Sequence, residues 1–242
     1  MSVSTSKEPA RIAGMFDAIA RRYDTLNRLL SAGMDKRWRR RAVRELRLTG
    51  TERVLDVCTG TADLALEAAT HANGAARNVV GVDFAFEMLR IGQDKVRRGG
   101  LAGRVGLAQG DATRLPLPDA SFDAAMIAFG IRNVVDPLAG CRELHRVLRP
   151  GGRLAILEFG MPRTPVLAGL YRWYFRVVLP RIGGLISRHD DAYSYLPASV
   201  AEFPSDDAFV TLLRQAGFSS VRYVSLALGV VYLYVAHRAE AD

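Results

Sequence analysis

The sequence predicts a doubly wound α/β fold: an open sheet of seven strands with helices on both faces, the last two strands forming an antiparallel hairpin. Three observations point there. From residue 53, short apolar runs alternate with amphipathic stretches, the rhythm of a parallel sheet. Right-handed crossovers prune such a series to a doubly wound order. Finally, the apolar runs 220–226 and 229–238 are too close together for a crossover, so they pair antiparallel.

The elements follow in order. "RVLDV" (53–57) is the first strand, followed by a helix from Asp63 to His71. "NVVGVD" (78–83) is the second, with a helix from Phe86 to Arg97. "RVGLAQGD" (104–111) and "FDAAMIAF" (122–129) are the third and fourth, before the helix "PLAGCRELHRVL" (137–148). Pro150-Gly151-Gly152 turns into a fifth strand, "RLAILEF" (153–159). A helix over about 205–216 ends at Gly217 ahead of the hairpin.

Two segments lie outside this core. Residues 11–47 read as two helices. In the first, Ile12, Met15, Phe16, Ile19, Tyr23 and Leu26 recur at three- and four-residue spacing and form one apolar stripe. Residues 160–204 are too long for a plain connection and read as a lid or substrate insert. Its aromatic stretch, 166–186, is interrupted by Arg172, Arg176 and Pro180, so it is not a membrane span. It suits a pocket wall, a bilayer surface or a packed helix pair. The chain, 1–242, thus reads as one domain with a helical cap (11–47), a core sheet (48–159 and 205–238) and the insert (160–204). The first ten residues are polar and expected to fray, and no leader is recognised among them.

Composition narrows the class. Cys58 and Cys141 are too few for a disulfide framework, so a reducing cytoplasm is expected. The four histidines are scattered, so no metal is expected. Net charge is +8, and residues 1–50, with twelve Lys/Arg against five Asp/Glu, hold +7 of it. The densest run is "KRWRRRAVREL" (36–46). It fits a solvated helix face, anionic lipid or nucleic acid. Trp38 among the arginines fits an interface, because its ring is amphipathic.

The most informative stretch is "VLDVCTGTADLA" (54–65). A strand ends in Asp56, then comes a tight loop with Gly60, then a helix. Small residues there let a ligand approach the backbone and the free N–H groups of the helix. An acid at Asp56 repels phosphates and suits a ligand with an ammonium and a sulfonium, such as S-adenosylmethionine. Asp83 ends the second strand, where a carboxylate accepts from both ribose hydroxyls. Asp111 follows the third strand, placed for an adenine amino group, with the Ala112 N–H for the ring. Each acid alone is weak evidence, but three at successive strand ends are strong evidence.

The chain resembles the ubiquinone/menaquinone-biosynthesis C-methyltransferases, also called demethylmenaquinone methyltransferases. The resemblance runs from about Ile12 to His237. It rests on "MFDAIARRYDTLNRLLSAGMDKRWRR" (15–40), "GDATRLPLPDASFD" (110–123), "IAFGIRNVVDP" (127–137), "RVLRPGGRLAILEF" (146–159), "DAYSYLPASV" (191–200) and "FVTLLRQAGF" (209–218). The most specific parts are the Y-D-x-x-N of Tyr23, "FGIRN", and the D-x-Y-x-Y-L beginning at Asp191. The resemblance implies a Rossmann-like sheet of the class I S-adenosylmethionine-dependent methyltransferase type. It also implies C-methylation of a prenylated quinol, demethylmenaquinol to menaquinol, with the benzoquinol of ubiquinone synthesis as the alternative. By position it makes Thr61, Asp83, Asp111 and Ala112 cofactor contacts. The chain departs from many members at Ala62, often glycine, at Ala128, serine in some, and at His189, commonly aspartate. After the final Gly-Val it also has Tyr232 and Tyr234 where many members have a histidine.

A quinol carbon attacks a sulfonium methyl only once its neighbouring hydroxyl ionises. Arg132 and Asn133 are the expected donors to that oxygen, Arg132 by lowering its pKa rather than as a base. Tyr23 is placed to relay the proton or close over the ring, with plain packing as the alternative. For Arg132 the alternative is a salt bridge to an acid such as Asp136. The basic N-terminus also raises an RNA methyltransferase, but the loop and the cysteine such enzymes use are missing. The expected partners are the prenylated quinol, a membrane surface touched peripherally from the cytoplasmic side, and a second copy as a homodimer. Nucleic acid is not among them.

Overall fold

The computed structural model describes residues 8–72, 74–173, 177 and 190–240. Two helices come first, α1 (Pro9–Leu30) and α2 (Asp35–Glu45). The core runs β1 (Arg53–Val57), α3 (Asp63–Thr70), β2 (Asn78–Asp83), α4 (Phe86–Arg98), β3 (Val105–Gln109), β4 (Phe122–Ala128), α5 (Pro137–Val147) and β5 (Leu148–Phe159). Then come α6 (Pro165–Trp173), α7 (Asp190–Glu202), α8 (Asp207–Gln215), β6 (Ser219–Leu226) and β7 (Val231–His237). The strand order is β3-β2-β1-β4-β5-β7-β6. Strands β1 to β5 pair parallel, and β7 runs antiparallel to both β5 and β6.

Alternation along the strands makes both faces of this sheet apolar. Leu55, Val57, Ile127, Leu154, Ile156, Tyr232 and Tyr234 point to one side, where α5 and α8 bring Leu144 and Phe209. Val54, Met126, Ala155, Leu157, Leu233 and Val235 point to the other, where α2 and α3 bring Trp38, Leu46, Leu64 and Ala65. The fifth strand begins earlier than its sequence pattern suggested. Leu148 already pairs with Phe122, residues 149–152 bulge out, and pairing resumes at Ala124 with Arg153. The Pro-Gly-Gly turn is therefore a bulge within a strand.

Helix α1 starts at Pro9, inside the stretch expected to fray; residues 1–7 lie outside the described residues. Its acids tie it to the core. Asp17 Oδ1 accepts from the Glu87 N–H at 2.9 Å, capping α4, whose own N-cap, Ala85, has no side chain to offer. Asp24 accepts from the Thr61 hydroxyl at 2.6 Å and meets Lys95 Nζ at 2.5 Å. Lys95 also reaches Asp63 at 2.7 Å, and Asp63 meets Arg39 of α2 at 3.1 Å. Arg39 in turn holds Asp35 at 2.7 Å. One chain of charges thus links α1, α4, α3 and α2.

The basic run resolves residue by residue. Trp38 is not at an interface. It is buried, with its ring 6.1 Å from that of Phe129, because the apolar positions of α2 face the sheet. Arg40 pairs with Glu67 at 3.7 Å and Arg41 with Glu45 at 2.8 Å. Lys36, Arg37 and Arg44 are exposed, with no ion pair among the described residues.

In the 160–204 stretch, α6 and α7 are described, while Arg176, Pro180 and His189 lie outside the described residues. Among those described, no helix is long and apolar enough to cross a membrane. The ends of the stretch are joined: Arg163 meets Asp206 at 3.0 Å and the Tyr223 hydroxyl at 2.6 Å, and the Asp206 N–H donates to Tyr234 at 2.8 Å.

Replacing Lys95 by methionine leaves Asp24 and Asp63 facing each other without their shared cation. We expect a loss of about 1–3 kcal/mol in urea unfolding, below the cost of breaking a fully buried pair because all three groups are partly exposed. Faster amide exchange in α1 than in β5 would accompany it.

Candidate active site

Reversal of strand order between β1 and β4 splays their following loops apart, and a crevice opens at the carboxyl ends of the strands. The chain leaves both strands in left-handed backbone. Cys58 stands at φ 55° and Phe129 at φ 59°, neither a glycine. Each such residue costs roughly 1–2 kcal/mol, a strain characteristic of functional sites. Gly130 follows because a Cβ there would collide with the Cβ of Cys58.

The loop after β1 is wired to β2. The Thr59 N–H donates to the Val82 carbonyl at 3.1 Å. Gly60, left-handed at φ 55°, donates its N–H to Asp83 Oδ2 at 2.7 Å. Asp83 Oδ1 accepts from the Ala85 N–H at 2.8 Å, so one carboxylate braces two loops. Burial nonetheless raises its pKa. Ala62, the position where a resemblance to glycine-bearing members fails, stands at φ 65°. A glycine would sit there without strain.

Two cavities open from this crevice. The first is lined by Gly60, Asp83, Phe84, Met88, Asp111, Ala112, Asn133 and Val134, with Phe16 and Tyr23 of α1 closing it. The second is roomier, about 170 Å³ against 110 Å³, and mostly apolar. Leu26, Met34, Trp38, Phe159, Tyr195 and Val230 line it, with Arg132 in its wall. Phe16, Tyr23 and Phe129 belong to both. The phenyl ring of Phe16 meets that of Tyr23 edge-on at 6.0 Å.

The sequence profile of the ubiE/COQ5 methyltransferase family matches residues 3–238. The chain belongs to that family. It is similar to the ubiquinone/menaquinone biosynthesis C-methyltransferase UbiE of Geobacter sp. (strain M21), 51% identical over 230 residues, or 95% of this chain and 97% of that one. It is similar also to the demethylmenaquinone methyltransferase of Thermus thermophilus, 50% identical over 224 residues, or 93% of this chain and 100% of that one. Among solved structures it shares its fold with the [4+2]-cyclase SpnF, at TM-score 0.68 and 20% identity over 96% of this chain and 97% of that one. A SAM-dependent methyltransferase of Thermotoga maritima, a possible histamine N-methyltransferase, aligns at TM-score 0.64 and 20% identity, covering 93% and 98%.

In this ubiE/COQ5 methyltransferase the nine residues singled out from the sequence divide into three groups. Tyr23, Gly60, Asp83, Asp111, Ala112 and Asn133 meet around the first cavity. Asp111 Oδ1 accepts from the Thr113 N–H and hydroxyl, at 2.8 and 2.9 Å. Asn133 Oδ1 is buried with no hydrogen bond among the described residues. Burial raises the pKa of Tyr23.

Arg132 sits in the second cavity instead, and its partner is not Asp136. Asp136 caps α5 by accepting from the Ala139 N–H at 3.0 Å. Arg132 Nη1 meets Glu158 Oε1 at 2.9 Å and also donates to the Phe129 carbonyl, while the Arg132 N–H donates to Glu158 Oε2 at 3.2 Å. The guanidinium lies 5.5 Å from the centre of the Phe159 ring. Its Nε is buried without a partner among the described residues. Sequence reasoning missed Glu158, although a lone acid in the apolar run "RLAILEF" was a signal for it.

Thr61 and Asp56 line neither cavity. The Thr61 hydroxyl is taken by Asp24 and Lys95. Asp56 lies wholly buried beneath the loop, its Oδ2 accepting from the Thr59 hydroxyl at 2.6 Å.

Burial pushes the Asp56 carboxyl from its ordinary 3.8 up to about 7, with neighbouring Asp83 adding to the rise and the Thr59 hydrogen bond opposing it. Between those values the folded chain keeps a proton that the unfolded chain has released. The stability that Asp56 contributes is therefore full below pH 3.8, is lost progressively as pH rises toward 7, and is absent above. Asp56→Asn should abolish this fall. Urea midpoints at pH 4.5 and 7.5 test it, and the variant is expected to gain on the wild type at the higher pH.

Proposed function

We propose that the protein methylates a ring carbon of a prenylated quinol with S-adenosylmethionine as donor, converting demethylmenaquinol to menaquinol. The junction of a polar-ended cavity with an apolar one, sharing only aromatic walls, carries this reading. The names of the relatives, for ubiquinone/menaquinone biosynthesis C-methylation and demethylmenaquinone methylation, support the substrate class. They favour it over an RNA methyltransferase.

The first cavity fits the donor. Asp83 retains lone pairs for two ribose hydroxyls. Phe84, Met88 and Val134 offer apolar walls to a flat base, with Asp111 and the Ala112 N–H at its polar edge. Gly60 lets the donor approach the loop closely, and Thr61, its hydroxyl held by Asp24 and Lys95, braces that loop from outside the cavity. Asp56 supports the loop from below. Asn133, whose Oδ1 is buried without a partner among the described residues, is also in its wall. Bound there, S-adenosylmethionine supplies a methyl group made electrophilic by its sulfonium.

The second cavity takes the quinol. Arg132 is neutralised by Glu158, so it acts through the hydrogen-bond donors it still presents rather than as a free charge. Donors fixed in a desolvated site stabilise the phenolate as it forms. Tyr23, at the junction, keeps its proton because burial raises its pKa, and it closes over the ring as a donor. Bringing ring carbon and methyl to near-attack distance would fall to the shared wall of Phe16, Tyr23 and Phe129.

The tail of such a substrate lies in a bilayer, and the protein works as a cytoplasmic one docked peripherally on the inner face. Leu29, Met34 and Leu228 are exposed near elements that line the second cavity, and close to Met34 in the chain stand Lys36 and Arg37, exposed and with no ion pair among the described residues. Leu228 is held left-handed at φ 59° while 73% exposed, a strained apolar side chain offered to solvent.

Mass spectrometry of quinols after incubation with labelled donor and a reductant decides the class. A gain of one methyl on demethylmenaquinol is expected; a gain on a benzoquinol alone reassigns the substrate, and no gain on either sinks the reading. Arg132→Ala alone strands a buried acid, so the informative variant is Arg132→Ala with Glu158→Gln. It should bind the donor normally and lose about 10²–10³ in kcat. Leu228→Asn, a residue that tolerates the left-handed region, should raise Tm slightly yet weaken sedimentation with anionic vesicles.

A further inference from the structure

Tyr195 belongs to α7, which packs on α1 and on the 3₁₀ turn Ile131–Asn133. Its side chain is 2% exposed and reaches the second cavity, in whose wall Arg132 also stands. Its hydroxyl has no hydrogen-bond partner among the described residues. A buried hydroxyl left unpaired costs about 1–3 kcal/mol, and phenylalanine would fill the same space without that cost. Arg132 Nε is buried and unpartnered in the same cavity. Two buried donors left without partners, in side chains that wall one apolar cavity, point to a ligand with oxygen on a flat, greasy body.

We infer that Tyr195 is a further catalytic residue, its hydroxyl donating to a ring oxygen of the acceptor as negative charge develops there. This rests on the reading of the second cavity as the quinol site. Burial raises the pKa of Tyr195, and the charge of Arg132 only partly offsets it, so at neutral pH the hydroxyl is a donor and not a base. Tyr195 takes no proton and no electrons. The quinol O–H gives its proton to water, and the electron pair of the ring carbon forms the new carbon–carbon bond. The carbon–sulfur pair leaves with sulfur. The methylated carbon then loses its hydrogen as a proton, the ring oxygen is reprotonated, and one proton is released overall. Tyr195 stabilises the oxyanion throughout.

Because α7 lies in the insert, the insert takes part in the chemistry as well as in binding.

Tyr195→Phe removes one oxygen and keeps the ring. With the full-length protein, donor, demethylmenaquinol and reductant, kcat should fall ten- to hundred-fold. Tm should hold or rise, and the KM for the donor should not change. The rising limb of kcat against pH should move to higher pH, since the acceptor then ionises less readily. An unchanged kcat and pH profile overturns the inference, as does a fall in kcat matched by loss of Tm and of donor affinity, which marks a packing role. A wild-type protein that adds no methyl to any quinol overturns the parent reading instead, and this inference with it.

Discussion

Glu158 is an acid inside an apolar strand, with none of its surface exposed, and such a group persists only if it is paired and hydrogen-bonded. Arg132 meets that need with its guanidinium and its backbone N–H together, and the Phe159 N–H adds a third donor at 2.8 Å. The consequence is geometric. The turn after β4 is fastened to β5, so Asn133 is held toward one cavity while Arg132 is held in the other. A pair of hydrophobic side chains would stabilise the strands equally well or better, but it would not fix a turn. The ion pair holds Arg132 rigidly in the wall of the second cavity and is neutral overall.

Rigidity on the sheet side contrasts with how the cap is held. Helix α1 contributes walls to both cavities and packs on α4 through Ala20, Ala85 and Met88, and two acids add polar ties, Asp17 to the end of α4 and Asp24 to Lys95 and Thr61. These groups are partly exposed and individually weak.

Much of the core was legible because a parallel sheet buried on both faces leaves a strong record, with runs such as "VLDV" and "AAMIAF" bounded by glycine and proline. The sheet order and the acids at strand ends followed from the same record. What stayed hidden was set by tertiary partners. Trp38 among arginines looked like surface, but the apolar side of α2 turns it inward. Arg132 looked free or paired to nearby Asp136, whereas its acid comes from the next strand, 26 positions along. Asp56 matched a cofactor position by its strand end and Thr61 by the resemblance, but neither says which hydroxyl a lysine has already taken. Tyr195 lay within a recognised motif whose reason no local pattern could reveal.

The shared wall has one more consequence. Phe16 and Tyr23 cannot adjust to an occupant of the first cavity without reshaping the second. The two ligands are therefore linked thermodynamically. If the first arrival orders α1, the second finds part of that ordering already done, and by reciprocity each tightens the other's binding by the same factor. On the proposed reading, aromatic side chains on one helix thus turn a two-substrate site into a cooperative one within a single chain.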